Sequence, residues 1–256
     1  MSLIIALANQ KGGVGKTTTA INLGAYLASA GHRTLLIDLD AQSNATSGLG
    51  VEADYEQSVY AALLDGLPIA GLAQPTAVDL LDIVPATRDL AGAEVELVPL
   101  MAREFRLRRS LQADPVPHEF VFVDCPPSLG LLTVNALAAA DEVLVPVQCE
   151  YLALEGLTQL VGTVELVRQN LNQRLWLSGL VLTMFDGRTN LSQQVEEEVR
   201  RHFPQTYDTV IPRSVRLSEA PSHGMPILRY DPGSRGAIAY RALADEFLTR
   251  TARVTT

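Results

Sequence analysis

Apolar residues fall along the chain in two alternating rhythms. Leu3 to Ala8 is a short apolar run that ends in a glycine-rich turn, and from Thr17 to Ala30 apolar side chains recur at helical spacing until Gly31 stops them. Further continuous runs lie at Thr34 to Ile37, Phe120 to Val123, Glu142 to Val147 and Ser178 to Thr183. Runs this short and uninterrupted predict strands buried on both faces, as in a parallel sheet. Between them Leu157, Leu160, Val161 and Val164 share one helical face; Val195 to Phe203 predicts a polar helix, Thr209 to Pro212 a short strand, and Ala237 to Leu248 a closing helix. Strands alternating with helices predict an α/β fold: a single doubly wound, mostly parallel sheet flanked by helices.

No internal repeat, low-complexity tract or long linker divides the 256 residues, so one domain is expected over 1–250, with a loose tail over 251–256. Hydrophobic residues at 47% and charged residues at 19% supply a large core and exclude a disordered chain. No apolar stretch reaches the roughly 18 to 20 residues that span a bilayer, and the first eight residues lack the basic start and length of a signal peptide, so a cytoplasmic location is expected. Cys125 and Cys149 have no metal or redox spacing and read as buried free thiols. His32, His118, His202 and His223 likewise show no metal spacing and read as surface or turn residues.

The net charge of −9 argues against a uniformly basic surface. Its cationic component is uneven: 18 of the 20 basic residues are arginine, and the two lysines, Lys11 and Lys16, sit in the first glycine-rich turn. That turn, Lys11-Gly12-Gly13-Val14-Gly15-Lys16-Thr17-Thr18, lies between a strand and a helix. Its glycines let backbone amides converge on phosphate oxygens, and the helix N-terminus adds partial positive charge. Lys16 is placed to reach the β- and γ-phosphates of a nucleotide, the Thr17 hydroxyl to ligand Mg2+, and Thr18 to donate to the α-phosphate. A strict P-loop has glycine six residues before Lys16, where this chain has Gln10.

With Asn9 and Gln10 included, the segment resembles the deviant Walker A motif of the ParA/MinD family of P-loop ATPases. The resemblance implies ATP and Mg2+ as cofactors. It also implies that Lys11 is a signature lysine reaching the nucleotide of a second subunit in an ATP-dependent homodimer. Leu35-Leu36-Ile37-Asp38-Leu39-Asp40 resembles the family's second motif; Asp40 matches the catalytic carboxylate beside the γ-phosphate and the metal, and Asp38 reads as structural or metal-linked. Phe120 to Asp124, followed by Cys125-Pro126-Pro127-Ser128, resembles the Walker B segment, with Asp124 holding Mg2+. Ile211 to Pro221 resembles the segment that lines adenine and ribose in chromosomal ParA/Soj-like proteins, so Pro212 and Ser214 are base-contact candidates, and Met184-Phe185-Asp186 is placed to pack on the same base.

Within that family Asn44 to Gly50 and Ser218 to Pro226 side with ParA/Soj, and Phe247 to Thr256, with only Arg250 and Arg253 and too few large apolar residues for an interfacial helix, disfavours membrane targeting. It implies nonspecific double-stranded DNA as a partner of the dimer, a ParB/Spo0J-like protein that stimulates hydrolysis, and association with the nucleoid. Between Arg188 and Arg241 eight arginines face six acidic residues, and Arg188, Arg213 and Arg216 in loops are the DNA-contact candidates. Arg103, Arg106, Arg108 and Arg109, interleaved with Phe105, Leu107 and Leu111, form a second patch that reads as the solvated face of an amphipathic helix. The alternatives are a MinD-type ATPase that positions a protein or membrane cargo, and an ATP-dependent amidoligase.

Overall fold

The computed structural model of the chain describes residues 2–150 and 153–254. Among them seven strands form one sheet: β1 (Leu3–Leu7), β2 (Thr34–Asp38), β3 (Gln74–Pro75), β4 (Leu81–Val84), β5 (Phe120–Asp124), β6 (Glu142–Gln148) and β7 (Trp176–Thr183). Their spatial order is β3-β4-β2-β5-β1-β6-β7. Every pairing is parallel except that of the two-residue β3 with β4.

Alternation along each strand sorts side chains to two cores. Ile5 and Leu7 of β1, Leu36 of β2 and Phe120 and Phe122 of β5 join the helices Lys16–Ser29 and Arg235–Val254 on one face. Ala6, Leu35, Ile37, Val121 and Val123 pack on the other face against Leu90–Leu97, Arg106–Ala113, Leu131–Ala139, Ala153–Asn170 and Asn190–His202. Both faces are therefore covered, which is why the strands read as unbroken apolar runs.

Sheet order positions the site. The chain builds outward from β1 through β2 to β4 and then returns to insert β5 between β1 and β2, so β1, β2 and β5 end side by side. In open α/β sheets such a reversal opens a crevice at the carboxyl ends of the strands. Asp124 is the register partner of both Leu7 and Asp38 there.

Four expectations are corrected. Thr209 to Pro212 forms no strand; Pro212 makes one isolated parallel bridge to Phe185. The polar helix starts at Asn190, five residues early, because the Thr189 side chain caps it by accepting from the Ser192 amide. The closing helix runs Arg235–Val254, so Thr251 to Val254 are helical rather than loose. His118 is buried rather than exposed, with Nε2 2.8 Å from Asp82 Oδ2. The hydrophobic pattern also predicts nothing between 51 and 100, where β4 and the helices Val59–Leu64 and Leu90–Leu97 lie. In β4 the apolar run is broken by Asp82 and is only four residues long. Cys125 and Cys149 are buried and free as expected, and burial pushes the Cys149 thiol up to about 12. Among the described residues no helix is long and apolar enough to cross a membrane.

Candidate functional site

The glycine-rich turn leaves β1 and enters the helix Lys16–Ser29 through two left-handed residues, Gly13 at φ 74° and Gly15 at φ 90°. Side chains rarely adopt that conformation, so these two positions require glycine. Two polar side chains hold the turn from outside. Asn9 accepts the Lys11 amide through Oδ1 at 3.0 Å and donates from Nδ2 to the Pro146 carbonyl at 2.7 Å, tying the turn to β6. The Thr183 hydroxyl, at the end of β7, donates to the Val14 carbonyl at 2.7 Å.

Lys16 begins the helix and is buried, with Nζ 3.3 Å from the Lys11 carbonyl. Burial lowers its pKa, while the carboxylates of Asp124 and Asp40 pull the other way. Asp124 is wholly buried, and neither carboxylate oxygen has a hydrogen-bond partner among the described residues. Burial and the neighbouring Asp38 carboxylate push its pKa well up, against the opposing influence of Thr17 and Lys16. A buried carboxylate with two open oxygens, beside a threonine hydroxyl and a buried ammonium, has the donor set of a site for a hard cation and phosphate.

Asp38 and Asp40 are separated by their partners. Asp38 Oδ2 accepts from the Thr46 amide at 2.9 Å and the Thr46 hydroxyl at 2.7 Å, and Oδ1 accepts the Asp40 amide at 3.2 Å. Burial raises its pKa to about 6. Its lone pairs are committed to the protein. Asp40 is half-buried and, among the described residues, its carboxylate accepts only the Gln42 amide, through Oδ1 at 3.0 Å, which leaves Oδ2 without a protein partner.

Beside the turn lies a cavity of about 420 Å3 lined by Gly15, Thr18, Met184, Pro212, Ser214 and Tyr240. Backbone bonds hold its far wall: the Phe185 amide donates to the Ile211 carbonyl at 3.1 Å, and the Arg213 amide to the Phe185 carbonyl at 3.0 Å. Pro212 and Ser214, predicted base contacts, therefore line a pocket continuous with Thr17 and Thr18.

A family profile described as an AAA domain matches residues 2–177. The sporulation initiation inhibitor protein Soj of Bacillus subtilis (strain 168) is 59% identical over 248 residues, covering 96% of this chain and 98% of that one. The chromosome-partitioning ATPase Soj of Thermus thermophilus is 57% identical over 247 residues, covering 96% and 95%. The chain belongs to the Soj/ParA family of P-loop ATPases. A solved structure of cobyrinic acid a,c-diamide synthase from Mycobacterium smegmatis with bound ADP and magnesium superposes with a TM-score of 0.82 at 39% identity, covering 97% of this chain and 94% of that one.

Set in the Soj/ParA fold, Thr17, Thr18, Pro212 and Ser214 line the cavity, and Lys16, Asp40 and Asp124 lie close to one another, with Asp124 beside Thr17. Lys11 does not join them: its ammonium pairs with Glu150 at 2.7 Å on the surface. The three arginine candidates differ. Arg188 is exposed and paired with Asp186, Arg216 is paired with Glu219 and Asp231, and Arg213 has no ion pair among the described residues. Half of the second arginine patch is structural. Arg106 donates to the carbonyls of Leu63 and Leu64, and Arg103 to that of Val98.

Proposed function

We propose that the chain is a Mg-ATP-driven switch for partitioning DNA. Support comes first from the open carboxylates of Asp124 and Asp40 beside the buried Lys16, in a chain whose relatives are named chromosome-partitioning proteins. Thr17 and Asp124 would hold magnesium, and the metal, when bound, neutralises developing charge on the phosphoryl group. The amides of Gly12 to Thr18 cradle the phosphates, and Lys16 places a point charge against them. Asp40 orients the attacking water through its open oxygen. Pro212, Ser214 and Met184 take the base. Lys11, held outside its own crevice, is free to swing to the nucleotide of a second copy, making the active form an ATP-dependent homodimer.

In that dimer Arg188, Arg213 and Arg216 of both copies line up on the backbone of nonspecific duplex DNA, and hydrolysis, stimulated by a ParB-type partner, releases it. The protein then resides in the cytoplasm on the nucleoid. The arginine segment adjoins the nucleotide pocket at Ile211 to Ser214, so the base and the DNA are read by neighbouring residues.

The test is binding to duplex DNA of arbitrary sequence with ATP, with ADP and without nucleotide, at two salt concentrations. ATP-selective, salt-sensitive binding that weakens in Arg213→Ala is expected, since each lost phosphate contact lowers the salt slope by about 1. ATP binding with no DNA binding in any state would overturn the partitioning reading in favour of a MinD-type positioning ATPase.

A further inference from the structure

A second cavity, of about 730 Å3, opens at the amino ends of β1 and β5, the edge of the sheet opposite the nucleotide crevice. Its size falls within the roughly 300 to 1,000 Å3 of small-molecule pockets. Ile4, Leu111, Val121 and Ala139 give it an apolar lining.

Two carboxylates and two guanidinium groups line it, and they differ in their partners. Glu119 is engaged by His32 Nδ1 at 2.9 Å, and Asp141 Oδ2 accepts the Ile4 amide at 3.0 Å. Arg108 and Arg174 line the same space and have no ion pair or hydrogen bond among the described residues. Nine ion pairs occupy seven other arginines among the described residues, and none of them involves Arg108 or Arg174. His118 supplies an independent observation. Its side chain is 3% exposed, Nε2 is committed to Asp82, and Nδ1 is buried without a partner. An unpaired buried polar atom carries a desolvation cost, so the protein alone leaves the cavity wall at His118 incompletely satisfied.

We propose that this cavity binds a small organic anion with an apolar body. The anionic head pairs with the guanidinium groups of Arg108 and Arg174, and the body packs on the apolar lining beside His118. Guanidinium is suited to this task because its fork of donors matches carboxylate and phosphate oxygens.

Decanoate titrated calorimetrically into the full chain, with decanol as the uncharged counterpart, tests the site. Saturable binding of decanoate at one site per chain is expected, with decanol weaker by at least tenfold. The double variant Arg108→Gln/Arg174→Gln is expected to lose about tenfold per arginine while still binding Mg-ATP, which reports an intact fold. No saturable binding, equal binding of decanol, or unchanged decanoate affinity in the double variant would overturn the proposal. Loss of duplex DNA binding in that variant with decanoate affinity unchanged would also overturn it, assigning the two arginines to nucleic acid.

Discussion

Lys11 Nζ lies 2.7 Å from Glu150 Oε2, and the Glu150 Oε1 oxygen is in turn bonded by the Gln148 amide group. The signature lysine is thus held by its own chain, at a site where both side chains are partly exposed, 39% and 49%. An ion pair that wet is worth about 0–1 kcal/mol, a restraint weak enough to yield to the proposed contact with a second copy's nucleotide. Lys11→Ala is expected to bind ATP with near-normal affinity yet fail to dimerise, which sedimentation with ATP would detect. Glu150→Gln should tighten the ATP-dependent dimer by no more than about fivefold, because only that weak restraint is removed.

Asp38, which ends the second strand, and Asp40, two residues beyond it, should separate cleanly on mutation. Thr46→Val removes the hydroxyl that donates to Asp38 and accepts the Ala86 amide at 3.0 Å, leaving buried groups unpaired. It should lose about 2–4 kcal/mol of stability in urea denaturation. Asp40→Ala breaks one bond to an exposed amide and should change stability by less than about 1 kcal/mol. Its expected defect is kinetic: phosphate release falls while the ATP-bound dimer accumulates. A variant that hydrolyses ATP normally would remove Asp40 from the reaction.

Asp124→Asn exchanges a buried, unpaired carboxylate for a neutral amide. The nucleotide-free protein should become more stable by about 1–2 kcal/mol, since desolvation of the charge and repulsion from Asp38 both vanish. Nucleotide binding should become insensitive to magnesium removal by chelation, and weaker than in the wild type with metal. Melting curves with and without chelator, at fixed ATP, separate the two effects.

Much of this was legible beforehand because its signals are local. Strand β1, the turn and the first helix are contiguous, the left-handed glycines lie inside an eight-residue motif, and Asp40 and Asp124 close apolar runs. What the sequence could not show are the clamps made across large separations. Asn9 reaches Pro146, Thr183 reaches Val14, and Asn22 accepts the Ile227 amide 205 residues away. A lone asparagine or threonine carries no pattern of its own. The stretch 51–100 failed for another reason: its elements are short, and the helix Leu90–Leu97 leaves Val95 75% exposed, which blurs the apolar face. The same shortness hid His118, whose partner Asp82 lies in an unrecognised strand.

Glu246 provides a test of the closing helix. Burial raises its pKa, but bonds from the amides of Asp208 and Thr209, both at 2.8 Å, and the charge of Arg250 outweigh that and hold it below the usual 4.5. A lowered carboxylate pKa adds stability above the unfolded value and loses it as pH falls through the folded one. Glu246→Gln should therefore be less stable than wild type by about 1–3 kcal/mol at neutral pH. The gap should hold down to about pH 4.5 and close below it, as chemical denaturation across pH would reveal.

The bond from Thr183 to the Val14 carbonyl has a mechanical implication. Two residues further on, Phe185 is laced to Ile211 and Arg213. The glycine-rich turn and Arg213, which has no ion pair among the described residues, are thus both tied to the chain within two residues of one strand end. News of which nucleotide is bound would have to travel only the length of a tripeptide, and a sheet edge that short can act as a latch without any rearrangement of the core behind it.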